Sequence, residues 1–239
     1  MCLFLSFFRM GNSISANVSK INVKKLLANR KLVLYVDLDH TLIKSNDIMT
    51  RKGQDKYTAK TDQDRHFIMM STFCHKFRYA TVIRPGAHKF LQEMSTIYDM
   101  HVATLGMKPY AKEVVKILDP EMNLLQPVRF SREFFNGMPK DLVLQKMFDV
   151  EKHPPAVAID DQETVWGDGK KHVVAVKGFL GNEQDSSYME ELASLLKDIH
   201  KEYFKHLDQM QPDQMQLGNT VEELPDVCAV IKDMHSNFY

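Results

Sequence analysis

Apolar and polar positions come in short blocks along the chain. Four apolar runs stand out: "LVLYVD" from Leu32, "MHVAT" from Met100, "PAVAIDD" from Pro155 and "HVVAV" from His172. Short runs that are apolar throughout suit strands buried on both faces of a parallel sheet. "PVRF", from Pro127, reads as a shorter strand. Segments with helical period lie between them. "RPGAHKFLQEMSTIYD" spaces Phe90, Leu91, Met94, Ile97 and Tyr98 as one helix face after a Pro-Gly start. "KPYAKEVVKILDP" carries Pro109 in its first turn and stops at Asp119-Pro120. "PKDLVLQKMF" opens a helix at Lys140, and "SSYMEELASLLKDIHKEYF" is a long amphipathic helix. Repeated strand–helix–strand units predict an α/β fold, a doubly wound parallel sheet with helices on both faces.

The stretch between the first strand and the first long helix breaks that rhythm. "RHFIMMSTF" and "KFRYATVIR" are rich in β-branched and aromatic residues around Cys74-His75. They predict a β-hairpin insertion after the first strand, with no large cap. The pattern divides the chain into an expected lead-in over 1–28, a main α/β domain over 29–205 and a C-terminal tail over 206–239. The tail holds "EELPDVCAVIKDMHSNFY", which suits a short helix or a docking segment.

In such sheets ligands sit beyond the carboxyl ends of the strands. Polar residues converge on that edge. Asp37 and Asp39 follow the first strand, Thr104 ends "MHVAT", Lys140 opens its helix, and Asp160 and Asp161 end "PAVAI". Four aspartates in one crevice cannot all ionise without counter-charge. A lysine and a divalent cation provide it, and oxygen-only ligands favour magnesium. The set suits phosphoryl transfer, with Asp37 as nucleophile and Asp39 as general acid and base. Thr104 and Lys140 would then hold the phosphoryl oxygens, and Asp160 or Asp161 would complete the metal site. A strand-end turn alone explains Asp37 and Asp39 but not the other four. A glycosidase carboxylate pair has no use for Thr104, Lys140 and a metal.

Composition narrows the rest. Lys+Arg and Asp+Glu are 31 each, so there is no global basic footprint for nucleic acid. Cys2, Cys74 and Cys228 are too far apart in sequence for a zinc motif or a disulfide framework. The apolar start, "MCLFLSFF", lacks a basic n-region and ends at Arg9, so neither a signal peptide nor a membrane span is expected. "MGNSIS" from Met10 matches a myristoylation pattern only if translation begins there, and as given Gly11 is internal.

"DLDHT", from Asp37 to Thr41, is the D-x-D-x-T signature of haloacid dehalogenase superfamily phosphatases. With "RPGAHKFLQEMSTIYDMHVATLGMKPYAKEVVKILDP", "RFSRE", "PKDLVLQKMF" and "AIDDQETVWG", the chain resembles the catalytic domain of RNA polymerase II C-terminal domain phosphatases. The likeness runs from Lys31 to Phe204. The Asp160-Asp161 pair and Trp166 place it nearer the TFIIF-associating type than the small members. The resemblance implies Asp37 as nucleophile and metal ligand. It implies Asp39 as acid/base, with its backbone carbonyl also touching Mg2+. It implies Thr104, Lys140 and Arg132 at the phosphate, and Asp160 and Asp161 on the metal side, with Asp161 coordinating directly. Thr41 is expected to hold the loop that aims the acids, and Trp166 to pack beneath the site. The implied substrate is phosphoserine in the C-terminal tail of RNA polymerase II, and the implied location is nuclear. The stretch after Phe204 is too short for the BRCT domain expected there, and the segment between Arg132 and Lys140 is shorter than in the TFIIF-associating type. Two rival readings are a non-catalytic phosphopeptide-binding module and a phosphatase of another phosphoprotein or of small phosphate esters.

Overall fold

The structure, a computed structural model, describes residues 19–48, 65–71, 76–149, 153–181, 187–210 and 224–235. The "MGNSIS" pattern, Cys2 and Cys74-His75 lie outside the described residues. A four-stranded parallel sheet runs in the order β5-β1-β6-β7, built from β1 (Leu32–Val36), β5 (Tyr98–Val102), β6 (Ala156–Asp160) and β7 (Val173–Ala175). Period-two alternation fills both faces. Leu32, Leu34 and Val36 join Val157 and Ile159 on one side, while Val33 and Tyr35 join Ala156 and Ala158 on the other. This is the doubly wound parallel sheet expected from the apolar runs.

The first face is covered by α2 (Ala87–Ser95), α3 (Lys108–Leu118), α6 (Ser187–Gln209) and α7 (Val227–His235). The second is covered by α1 (Val23–Ala28), α4 (Arg132–Phe135), α5 (Leu142–Met147) and the 3-10 segment Glu163–His172. Asn22 caps α1 by accepting from the Lys25 backbone N–H, and Val23 and Leu26 are buried beneath it. Val227, Cys228, Val230 and Ile231 of α7 are buried in the first core, so a short helix in the C-terminal stretch packs onto the sheet domain. Cys228 is a free, buried thiol whose Sγ lies 3.3 Å from His172 Nε2.

A second sheet is antiparallel, in the order β2-β4-β3, formed by β2 (Ile43–Asp47), β3 (Arg65–Ser71) and β4 (Lys76–Ile83). The expected hairpin is β3 and β4, paired from Arg65↔Val82 to Ser71↔Lys76. Its third strand, "IKSND", is polar enough to pass for a loop; only Ile43 of the five is buried.

Three local expectations change. "PVRF" forms no strand, only an isolated bridge at Phe130, because Pro127 has no N–H to donate to a ladder. Tyr98 starts β5 and does not continue the preceding helix, which ends at Ser95. Lys140 lies in the turn before Asp141, the N-cap of α5, and not inside that helix.

Candidate active site

The carboxyl edge of the parallel sheet gathers the residues that sequence pattern pointed to. A small cleft of about 110 Å³ there is lined by Asp37, Asp39, Thr104, Lys140, Asp160 and Asp161, among others. Asp37 directly follows β1, and its N–H donates to Ile159 O at 3.1 Å, which fixes it to β6. Lys140 is fully enclosed. Its Nζ donates to Asp37 Oδ1 at 2.7 Å and to Asp160 Oδ2 at 2.7 Å. Asp160 also accepts from Trp166 Nε1 at 2.8 Å and from the Gln162 N–H at 2.9 Å. Trp166 is therefore more than packing beneath the site: its indole N–H orients the carboxylate that shares Lys140.

Charge in this pocket is unbalanced. Burial, helped by the charges of Asp160 and Asp39, pushes the Asp37 carboxyl up to about 7, although Lys140 pulls it down. Burial also raises Asp39, and burial with the Asp160 charge raises Asp161. Lys140 is raised as well: burial works against its charge, but Asp37 and Asp160 outweigh it. Carboxylate oxygens of Asp37, Asp160 and Asp161 lie within 4.8 Å of one another. Three carboxylates against one ammonium, all donors oxygen, fit a hard divalent cation. Asp160 already accepts three hydrogen bonds, so Asp37 and the half-buried Asp161 are the better-placed ligands.

Asp39 is held differently. Tyr110 OH lies 2.6 Å from Asp39 Oδ1 and 2.6 Å from Ser45 Oγ, and Ser45 Oγ lies 2.7 Å from Thr81 Oγ1. A phenol has one hydrogen, so donation to Asp39 leaves Ser45 to donate to the phenol oxygen. This chain ties Asp39 to β2 and β4. Sequence reasoning missed Tyr110 and Ser45. Tyr110 reads as one more apolar position of "KPYAKEVV", and no local signal marks its hydroxyl.

The loop after Asp39 bends at His40, which sits at φ +65°, a conformation uncommon outside glycine. His40 O accepts from Phe179 N at 2.6 Å, and buried Arg84 donates to Thr41 O at 3.0 Å and Lys177 O at 2.9 Å. The loop is thus held through the Thr41 carbonyl. The expectation that Thr41 holds it finds no hydrogen bond from its hydroxyl, which has no partner among the described residues. Thr104 Oγ1 accepts from Gly106 N at 3.0 Å, so its own hydrogen remains for another acceptor. A Cβ at Gly106 would meet the Tyr110 ring at 3.0 Å and Thr104 Oγ1 at 3.3 Å, so a larger residue there would press on both. Arg132 stands beside the cleft and does not line it. It is exposed, and its Nε donates at 2.8 Å to the carbonyl of Leu105, which lines the cleft.

An Asp-x-Asp pair, a strand-end hydroxyl, a buried lysine and a second acidic pair, on a doubly wound sheet, define the haloacid dehalogenase class. Within it the chain belongs to the NLI interacting factor-like phosphatase family, whose model matches residues 32–207. It is 28% identical over 248 residues to an RNA polymerase II C-terminal domain phosphatase of Caenorhabditis elegans, covering 94% of this chain and 35% of that one. It is 34% identical over 151 residues to the phosphatase of the same name in Schizosaccharomyces pombe, covering 61% of this chain and 21% of that one. The chain therefore spans about a third or less of these relatives' length. The solved structure of Fcp1, an essential RNA polymerase II CTD phosphatase, superposes with TM-score 0.70 at 23% identity over 89% of this chain and 72% of that one. At that identity the likeness establishes the shared fold. Among the described residues no helix is long and apolar enough to cross a membrane.

Proposed function

We propose that the chain is a Mg2+-dependent phosphoprotein serine/threonine phosphatase that works through an aspartyl-phosphate on Asp37. The observation that carries this reading is the Lys140 clamp, 2.7 Å from both Asp37 and Asp160, beside a carboxylate group that fits one hard cation. Asp37 Oδ attacks phosphorus, and the bond from phosphorus to the serine oxygen breaks. Asp39 gives its proton to that departing oxygen. Asp39 then takes a proton from the water that attacks the phosphoryl-aspartate, releasing inorganic phosphate and freeing Asp37. Lys140 and the Thr104 hydroxyl neutralise and orient the phosphoryl oxygens. Magnesium, held by Asp37, Asp161 and the Asp39 carbonyl, would supply charge neutralisation at the transferring group.

The names of the worm and fission yeast relatives support the phosphorylated C-terminal domain of RNA polymerase II as substrate, and a nuclear location with it. The insertion after β1 supports a polypeptide substrate, because its described residues form a small antiparallel sheet and no helical cap. No direct nucleic-acid contact and no membrane contact belong to this reading. The test is a panel of phosphopeptides and small phosphate esters in magnesium, with Asp37→Asn beside the wild type. Wild type is expected to turn over an aryl phosphate and to favour phosphoserine peptides. Asp37→Asn should fall at least about 10⁴-fold and form no beryllium fluoride adduct. Full activity in Asp37→Asn sinks the nucleophile assignment, and preference for sugar phosphates sinks the substrate class.

A further inference from the structure

Up to Asp160 at the carboxyl end of β6, the inner strands of the parallel sheet are apolar on both faces, but β5 is not. Tyr98, Met100 and Val102 enter the first core, while Asp99 and His101 face the other side. There they line a cleft of about 340 Å³ beneath α1, separate from the catalytic cleft. Asp99 Oδ1 accepts from Gln126 Nε2 at 2.8 Å, and Asp99 Oδ2 faces His101 Nε2 at 3.4 Å. His101 is buried, and its Nδ1 has no partner among the described residues. The other ionised side chains of the lining are cationic: Lys20, Lys25, Lys31 and Arg129 stand against the single carboxylate of Asp99.

Two of these cations are already engaged. Lys20 pairs with Asp149, and Lys31 donates to Ser95 O at 2.7 Å. Lys25 and Arg129 have no acidic partner among the described residues, and Arg129 makes only a 3.3 Å contact with Ser19 Oγ. Chain path links the cleft to the active site. Gln126 N donates to Met100 O at 2.9 Å, Thr104 N to Phe130 O at 3.0 Å, and Arg132 N to Gly106 O at 2.9 Å. One segment therefore runs beside β5 from the basic cleft to the catalytic edge. Between Gln126 and Arg132 it covers at most about 20 Å of extended chain.

We infer that this cleft is a distal anchoring site for a second phosphoryl group on the same substrate polypeptide, held by Lys25 and Arg129. The inference rests on the phosphoprotein reading above. An extended peptide of six or seven residues reaches about 20–25 Å, enough to occupy both sites at once. A dianionic phosphate answers the uncompensated charge, and Gln126 and Asp99 offer a donor and an acceptor to the peptide that carries it. The cleft selects for a multiply phosphorylated tail and takes no part in the bond changes at Asp37.

The test compares two peptides on the full chain, one with a single phosphoserine and one with two, six residues apart. Turnover and fluorescence-anisotropy binding are measured in parallel, with p-nitrophenyl phosphate as a substrate too small to reach the cleft. Wild type should bind the doubly phosphorylated peptide about tenfold more tightly, an advantage that shrinks with salt. The Lys25→Glu/Arg129→Glu variant should lose that advantage while keeping its rate on p-nitrophenyl phosphate and its KM for the single phosphopeptide. Lys201→Glu/Lys205→Glu, the same charge change at exposed positions of α6, should keep it. Equal binding of the two peptides by wild type overturns the inference, as does a variant that weakens both alike. If binding differs as expected but wild type turns over none of the substrates, the cleft stands and the phosphatase reading fails.

Discussion

Asp37 and Asp39 are two residues apart, yet they belong to different regions of the molecule. Asp37 is part of the parallel sheet. Its backbone is bonded to β6, and its side chain shares the enclosed Lys140 with Asp160. Asp39 sits on the loop leaving that sheet and takes its orientation from Tyr110, Ser45 and Thr81, of which the last two lie in the antiparallel sheet. The two regions have different tasks. The parallel sheet fixes charges that have to stay in place through both chemical steps. The antiparallel sheet steadies a group that has to release and recover a proton. A buried ion-pair network suits the first task, and a hydrogen-bonded hydroxyl relay suits the second.

The largest effect that separates the two regions is expected at Lys140. Lys140→Met leaves Asp37 and Asp160 facing each other without the ammonium between them. Turnover should fall about 10²–10³-fold, and cation-free stability should fall by about 3–5 kcal/mol, as for a broken buried pair. Chemical denaturation and steady-state rates measure both. A variant that loses rate but keeps wild-type stability without magnesium would mean that Lys140 serves the substrate alone.

At Asp39 the expected loss depends on the substrate. Asp39→Asn removes the proton that an alkoxide leaving group needs. Phosphoserine peptide turnover should drop by about 10²–10⁴. Attack on p-nitrophenyl phosphate, whose leaving group needs no proton, should drop less in single-turnover formation of the phosphoryl-enzyme. Equal losses on the two substrates argue against the acid role. Wild-type turnover of serine phosphate should also favour mildly acidic pH, since Asp39 has to be protonated in the first step and is raised by burial.

The parallel-sheet region has its own pH signature. In the cation-free fold the Asp37 carboxyl is pushed up to about 7, against an ordinary value near 3.9 in the unfolded chain. Between those values the folded state holds a proton that the unfolded state has lost, so stability falls as pH rises. The contribution is complete below about pH 4 and is lost once pH passes about 7. A cation competes with that proton. Magnesium should therefore raise the melting temperature more at pH 8 than at pH 5.5, as read by scanning fluorimetry. An equal shift at both pH values removes Asp37 from the metal site.

Much of the parallel-sheet region was legible because it follows local rules. An apolar run ending in acids marks a buried strand pointing at a site, so Asp37, Thr104, Asp160 and Asp161 could be placed by counting strand ends. Lys140 came from its position in "PKDL". The second region was less legible for a physical reason: its information lies in pairings distant in sequence. The polar strand "IKSND" gains its strand character from β4, with Ser45 opposite Thr81. Tyr110 looks like an ordinary buried helix residue until the loop brings Asp39 within 2.6 Å of its hydroxyl. Arg132 is a third case. The resemblance implies it at the phosphate, and the structure gives its guanidinium a 2.8 Å hydrogen bond to the carbonyl of Leu105, which lines the cleft.

The smallest expected effect is at the joint between the regions. Tyr110→Phe keeps the ring, which packs against Tyr79 at 5.1 Å between centroids, and removes only the hydroxyl. Asp39 then loses the donor that favours its ionised form, so its carboxyl should titrate higher than in the wild type. The acid limb of catalysis should extend to higher pH while the water-activating step weakens. At pH 7 the net loss on a phosphoserine peptide should be about tenfold or less, with KM little changed. The diagnostic is the displacement of the pH–rate profile toward alkaline pH, which a simple packing defect does not produce. A uniform drop in rate with an unmoved profile would show that the antiparallel sheet supports the loop but does not tune the acid.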